Sequence, residues 1–236
     1  MTKVHPLDMI VDRPRKEAAI AVGTAWAAFL AALVLGNEVL DLASLMIGGC
    51  VGAVLVFAGF AAASRCRPMH PRPNAQRARI ALLSLAWGAG LGVANLGANL
   101  ALAQADPALR ELMAERIASV APVTGLLAAP VVEEIALRLF FMSVIAWVVS
   151  RFTRRPGLIF WIALGVSALG FALIHLDRPF PTDPALAALY GVALVLKYSL
   201  AGLLPGWIFW RWGLPYAMFC HFVANATHLL LQPMFF

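Results

Sequence analysis

The sequence predicts an all-α fold: a polytopic transmembrane bundle of about seven to eight membrane helices with one further helix at the interface. Three observations point there. Of its 236 residues 62% are hydrophobic and only 13% charged, with a mean hydropathy of +0.83, whereas a soluble domain is about 45–50% apolar and about 25% charged. The apolar residues are gathered into stretches of the length that crosses a hydrocarbon core about 30 Å thick, which takes about 20 residues of helix. Finally, Lys and Arg sort by loop, as topogenic charges do.

Taken in order, the apolar stretches fall at 18–35, 42–63, 80–103, 123–149, 158–175, 185–203 and 214–231, giving seven spans. Residues 1–16 form a polar N-terminal segment, 17–120 the N-terminal membrane helices, and 121–236 a C-terminal core. The first stretch has no small-x-small cleavage site and reads as a retained helix. Between the third and fourth spans, Asp106 can cap a helix whose first turn holds Pro107, with Leu109, Leu112, Met113 and Ile117 at helical spacing. This is the expected interfacial helix.

Lys3, Arg13, Arg15 and Lys16, the five arginines of the loop RCRPMHPRPNAQRAR, then Arg151, Arg154, Arg155 and Arg211 fall on one side of this topology. Arg110, Arg116 and Arg178 fall on the other. The positive-inside rule then places the N-terminus in the cytoplasm, and the compact, Ala- and Arg-rich chain reads as a multi-pass protein of a bacterial inner membrane. The net charge of +6 is topological; no basic groove for a nucleic acid is present, and lipids are the expected surroundings. Cys50, Cys66 and Cys220 form no CxxC pair and read as free thiols.

Ionisable groups inside spans cost on the order of 2.5–3.5 kcal/mol each on insertion scales, so each needs a reason. In the fourth span Glu134 and Arg138 are four residues apart and can pair along one helix face. Glu133, turned by about 100°, has no such partner in its own helix, which suits a general base. Pro130 just before them removes a backbone hydrogen bond and can open the helix. In the fifth span Phe171 and His175 share a face. In the seventh, His221, Asn225 and His228 lie one turn apart in succession. A purely structural reading exists for each group: a buried ion pair, an interfacial histidine, interhelical hydrogen bonds of about 0.6 kcal/mol apiece. His228 fits that reading better than the others do, and Lys197 in the sixth span reads as a snorkelling residue.

One carboxylate, two imidazoles and a carboxamide from three helices are the parts of a water-activating hydrolase. Glu133 would take the proton from water, His175 would orient it, and His221 with Asn225 would stabilise the oxyanion. Glu133, His175 and His221 are equally of the types that ligate Zn²⁺, but no HExxH helix is present, so the residues admit zinc without demanding it.

EEIALR at Glu133 to Arg138, FALIH at Phe171 to His175 and HFVAN at His221 to Asn225 resemble the EExxxR, FxxxH and HxxxN motifs of the CAAX protease and bacteriocin-processing (CPBP, or Abi) family. The resemblance spans about residues 123–231. It implies an intramembrane endopeptidase similar to the type II CAAX prenyl proteases, which remove the last three residues after a prenylated cysteine. It supports Glu133 as base, makes Glu134 part of the catalytic set with His175, His221 and Asn225, and leaves Arg138 and Phe171 in support. The expected substrate is a peptide or membrane protein, with or without a lipid. Zinc stays open in this family too, whose site is described both as a metal site and as a glutamate–histidine site.

Depth raises a conflict. Counted at about 1.5 Å per residue, Glu133 and His175 fall in the outer half and His221 in the inner half. They could meet if residues 205–213, rich in Trp and Gly, are an embedded or re-entrant piece, so that the seventh helix begins near Trp207 or the fifth span is shifted inward. Two rival functions are a proton-coupled transporter relaying through Glu133, Glu134, Arg138, Lys197 and the histidines, and a non-enzymatic membrane scaffold or immunity protein. The first predicts an internal repeat that the halves do not show, and intact motifs argue against the second.

Overall fold

Within lipid a chain must satisfy its backbone polar groups internally, and every regular element among the described residues is helical. The computed structural model describes residues 52, 54–64, 74–119, 126, 129–176 and 180–235. The N-terminal segment, the span at 18–35, the start of the second span, most of the basic loop, Cys50, Cys66 and Arg178 lie outside the described residues.

The helices are α1 (Val54–Ser64), α2 (Asn74–Ala105), α3 (Pro107–Ser119), α4 (Ala129–Glu133, continued by Glu134–Met142 and Ser143–Val149), α5 (Pro156–Leu173), α6 (Pro184–Trp212) and α7 (Leu214–Leu231). Three of them, α2, α5 and α6, are each long and apolar enough to cross a membrane. Their outer faces are inside-out relative to a soluble protein: α6 exposes Leu189, Val192, Leu196 and Leu200, the least of them by 58%. Such a stripe is stable against lipid and costly in water.

Local chemistry sets the helix ends. Asp106 Oδ1 accepts from the Ala108 amide at 2.7 Å, the cap expected for α3, whose Leu109 and Met113 are buried. Asp183 Oδ1 does the same for Leu186 at 2.8 Å and starts α6. Pro156 opens α5 after an extended Arg155. The fourth helix winds wide: Glu134–Met142 is π-helical, directly after Pro130 in its first turn.

Residues 205–213 correct the sequence reading. They are neither loop nor re-entrant piece: α6 runs through Pro205 to Trp212, and α7 starts at Leu214 rather than near Trp207. Gly213 alone makes the reversal, at φ 110°, a conformation that L side chains rarely adopt. Its amide bonds back to Phe209 O at 3.0 Å. Two of the tryptophans expected to embed a loop instead pack on α2, where Trp87 stacks on Trp212 at 5.3 Å and meets Trp207 edge-on at 5.2 Å, and the third, Trp210, packs on Phe160 of α5 at 5.4 Å. The fifth helix runs from Pro156 to Leu173, two residues earlier at each end than the span read from hydropathy, and His175 sits in the turn just past it.

Small residues set how closely the helices approach. On α2, Gly88 and Gly92 face the α7 backbone, and a Cβ on Gly92 would come within 2.5 Å of Ala224 O. This is the small-xxx-small packing that membrane helices use in place of a hydrophobic drive. Gly202 of α6 likewise lies on Ala168 and Phe171 of α5.

Candidate active site

The centre of the bundle holds a buried charge pair. Glu134 and Arg138 are both 0% exposed, with Arg138 Nε 3.3 Å from Glu134 Oε2. Arg138 Nη1 donates to Ser167 Oγ of α5 at 2.8 Å, and that hydroxyl donates to Leu137 O at 2.9 Å. The guanidinium also lies over the Phe171 ring, 5.3 Å from its centroid. The pairing of Glu134 with Arg138 is therefore the one the four-residue spacing implies, and the bonds through Ser167 tie α4 to α5.

Glu134 has a second partner. Its Oε1 lies 2.9 Å from Nδ1 of His221 on α7. A carboxylate held by an arginine only accepts, so Nδ1 carries the ring proton and Nε2 is turned the other way. Nε2 faces Glu133, 3.9 Å from its Oε2. Two consecutive glutamates thus straddle one imidazole. A regular helix would point them about 100° apart, and they reach opposite edges of one ring where α4 passes into its wide π turn. The Glu133 side chain is 22% exposed, and its Oε2 makes no hydrogen bond within the protein. A gap of this size between two polar atoms is one that a water can bridge.

Phe171 joins the two histidines. Its ring is 4.5 Å from that of His175 and 5.9 Å from that of His221, the latter edge-to-face. His175 is fixed on its other side by stacking on Tyr198 at 4.1 Å, and its Nδ1 donates to Phe171 O at 2.7 Å. That bond sets the tautomer of the ring, with the proton on Nδ1.

Glu133, His175, His221, Asn225 and Phe171 line one cavity of about 240 Å³. Glu134 and Arg138 do not line it; they stand behind His221. These residues meet although the seventh helix starts at Leu214, not near Trp207. Counting residues from assumed membrane ends gives no relative height, because helices end at different levels and long side chains bridge the difference.

Sequence reasoning passed over part of this cavity. Asn95 and Asn99 of α2, Tyr198 of α6 and Gln232 also line it, and the two asparagines, four residues apart in an apolar span, were a legible signal. Lys197 does not snorkel. It lines the cavity, donates to Asn99 Oδ1 at 2.5 Å and lies over the Tyr198 ring. His228 meets the same asparagine, with Nε2 3.0 Å from Asn99 Nδ2. Among the described residues no group of three or more His, Cys, Asp or Glu could hold a metal ion, so Glu133, His175 and His221 are not gathered into a zinc ligand set.

Residues 117–227 match the family model described as type II CAAX prenyl endopeptidase, Rce1-like. The match contains all three motifs and covers most of the stretch over which the resemblance was read. No curated protein and no solved structure matches the chain.

Proposed function

We propose that this chain, whose residues 117–227 form an Rce1-like domain, is an intramembrane endopeptidase that cleaves a peptide bond of a membrane-associated substrate with Glu133-activated water. The observation that carries the reading is the relation of Glu133 to His221: an unbonded carboxylate oxygen 3.9 Å from an imidazole nitrogen, in a cavity that also contains His175 and Asn225.

In this mechanism water lies between Glu133 Oε2 and the histidines, and the scissile carbonyl lies toward Asn225. Glu133 removes a proton as the water oxygen bonds to the carbonyl carbon. The oxyanion is held by the Asn225 carboxamide N–H and, when Nε2 as well as Nδ1 carries a proton, by Nε2–H of His221. Glu134 keeps His221 in register through Nδ1, as an orienting carboxylate does in a triad. The tetrahedral intermediate collapses with cleavage of the C–N bond, and the proton held by Glu133 passes to the departing amine. His175 steadies the water through Nε2. No step passes through a metal.

The substrate side follows from the membrane setting: a peptide or protein presented from the bilayer, with or without a prenyl group. The excess of Lys and Arg on one side supports a cytoplasmic N-terminus, and the compact, Ala- and Arg-rich composition supports a bacterial inner membrane.

The test is cleavage of quenched fluorescent peptides, prenylated and unprenylated, by purified protein in nanodiscs. The expected result is turnover by wild type and loss of at least about 100-fold in Glu133→Gln. Turnover unaffected by that substitution would refute the assignment, and a chelator arm tests independently for metal dependence.

A further inference from the structure

A peptide that enters a membrane-embedded cavity brings main-chain N–H and C=O groups that lose their water, and each needs a partner there. The surrounding helices offer few, because their own main-chain groups bond to one another. In the proposed reaction Asn225 and His221 donate to the scissile carbonyl, which leaves the substrate's N–H groups without an acceptor. Two side-chain oxygens of cavity-lining residues are buried with no hydrogen-bond partner among the described residues, Glu133 Oε2 and Asn95 Oδ1. The first faces the attacking water. The second has no part in that reaction.

Helix register places Asn95. Gly88 of α2 faces Cys220 and Val223 of α7, and Gly92 faces Ala224 and Thr227, so the two helices run parallel. Further along, Asn99 Nδ2 lies 3.0 Å from His228 Nε2. Asn95 precedes Asn99 by the same four residues by which Ala224 precedes His228. One turn back along both helices therefore puts Asn95 beside the turn that carries Ala224 and Asn225. Asn95 and Asn225 both line the cavity. In an extended chain the N–H and C=O of one residue point to the same side, which is how a neighbouring strand exchanges two bonds with it. An acceptor beside the donor that holds the scissile carbonyl is thus placed for the N–H of the same residue.

We infer that Asn95 Oδ1 accepts the main-chain N–H of the substrate residue whose carbonyl is attacked, so that Asn95 and Asn225 grip that residue as a neighbouring strand would. This deepens the endopeptidase reading and rests on it. Its consequence is selectivity. The residue must carry an N–H, so proline and N-methyl residues are refused at that one position whatever the side chain.

The experiment reads binding and cleavage separately. A dansylated peptide of Leu and Ala is made together with analogues in each of which one main-chain N–H is replaced by an ester oxygen. All are titrated against the Glu133→Gln protein in nanodiscs, alone and with Asn95→Leu or Asn95→Asp added. Wild type and the all-amide peptide fix the cleaved bond by the masses of the products. The analogue lacking the N–H of the residue whose carbonyl is attacked should bind about three- to tenfold more weakly than the all-amide peptide. Asn95→Leu should bind those two equally, and Asn95→Asp, which keeps an acceptor oxygen, should retain the difference. Each comparison is made within one protein, so a loss of stability in a variant cancels. Equal binding of all analogues overturns the inference, as does a difference that persists in Asn95→Leu or one that falls on another residue. A failed protease reading appears separately, as peptide binding with no cleavage by wild type.

Discussion

Glu134 Oε1 accepts from Nδ1 of His221 at 2.9 Å, across two helices that lie 87 residues apart in the chain. That bond makes one of two adjacent glutamates a holder of the imidazole and leaves the other, Glu133, facing Nε2. Similar residues at successive positions thereby take different work.

The two glutamates should separate in mutants. Glu133→Gln removes the base and is expected to lower kcat by about 100-fold or more with little change in thermal stability. Glu134→Gln leaves Arg138 buried without its counter-charge and frees the His221 ring. It should therefore lower both kcat and Tm. Parallel melting curves and rates on one substrate check this, and equal Tm losses in the two variants would contradict the division.

Breaking the buried pair from the other end should be costly. Arg138→Leu strands Glu134 at 0% exposure, which costs about 3–5 kcal/mol in buried pairs of this kind. Adding Glu134→Leu should restore much of the stability but not the activity, because His221 then lacks the partner on Nδ1. Reversible unfolding in mixed detergent and a cleavage assay on the same preparations supply the two readouts.

Helix approach gives a prediction free of chemistry. Gly92→Leu forces a side chain against Ala224 O and Thr227, while a Cβ at Gly97 on the same helix meets nothing within 4 Å among the described residues. The first should destabilise by about 1–3 kcal/mol or more, lowering Tm and the monodisperse fraction in size-exclusion chromatography. The second should behave as wild type.

Phe171 touches both histidine rings and the Arg138 guanidinium. Phe171→Leu preserves apolar volume but loses aromatic pairs worth about 0.5–1.5 kcal/mol each. The expected result is a fall in kcat of about tenfold, with a smaller change in KM, since the rings that hold water and oxyanion are loosened while the rest of the cavity persists. An unchanged kcat in steady-state kinetics would show that the ring does not position them.

Much of this site was legible before any coordinates. The four-residue spacing of Glu134 and Arg138 implies their ion pair, because a helix puts such residues on one face. The polar groups inside apolar spans marked Glu133, His175, His221 and Asn225, because lipid makes any ionisable group expensive unless it has a use. Other residues misled. Lys197 looked like an ordinary snorkelling residue because its stem is long and its span apolar, but its partner Asn99 lies 98 residues away, and no local pattern announces such a bond. The stretch at 205–213 looked like a loop because Pro, Gly and Trp are locally loop-like, yet packing of Trp207 and Trp212 on Trp87 holds it in the helix.

By itself the sequence determined the helical membrane class, the helix cap at Asp106, and which residue types would meet in the interior. These follow from hydropathy, helical period and the cost of burying charge, all of which act over short stretches of chain. The tertiary structure alone decided that Glu133 and Glu134 grip opposite edges of His221, that Phe171 joins the two histidines, and that Lys197 points into the cavity. Those relations depend on how far one helix slides and turns against another. That is set by glycine contacts and side-chain packing between segments distant in sequence, and residue counting along any one helix carries no information about it.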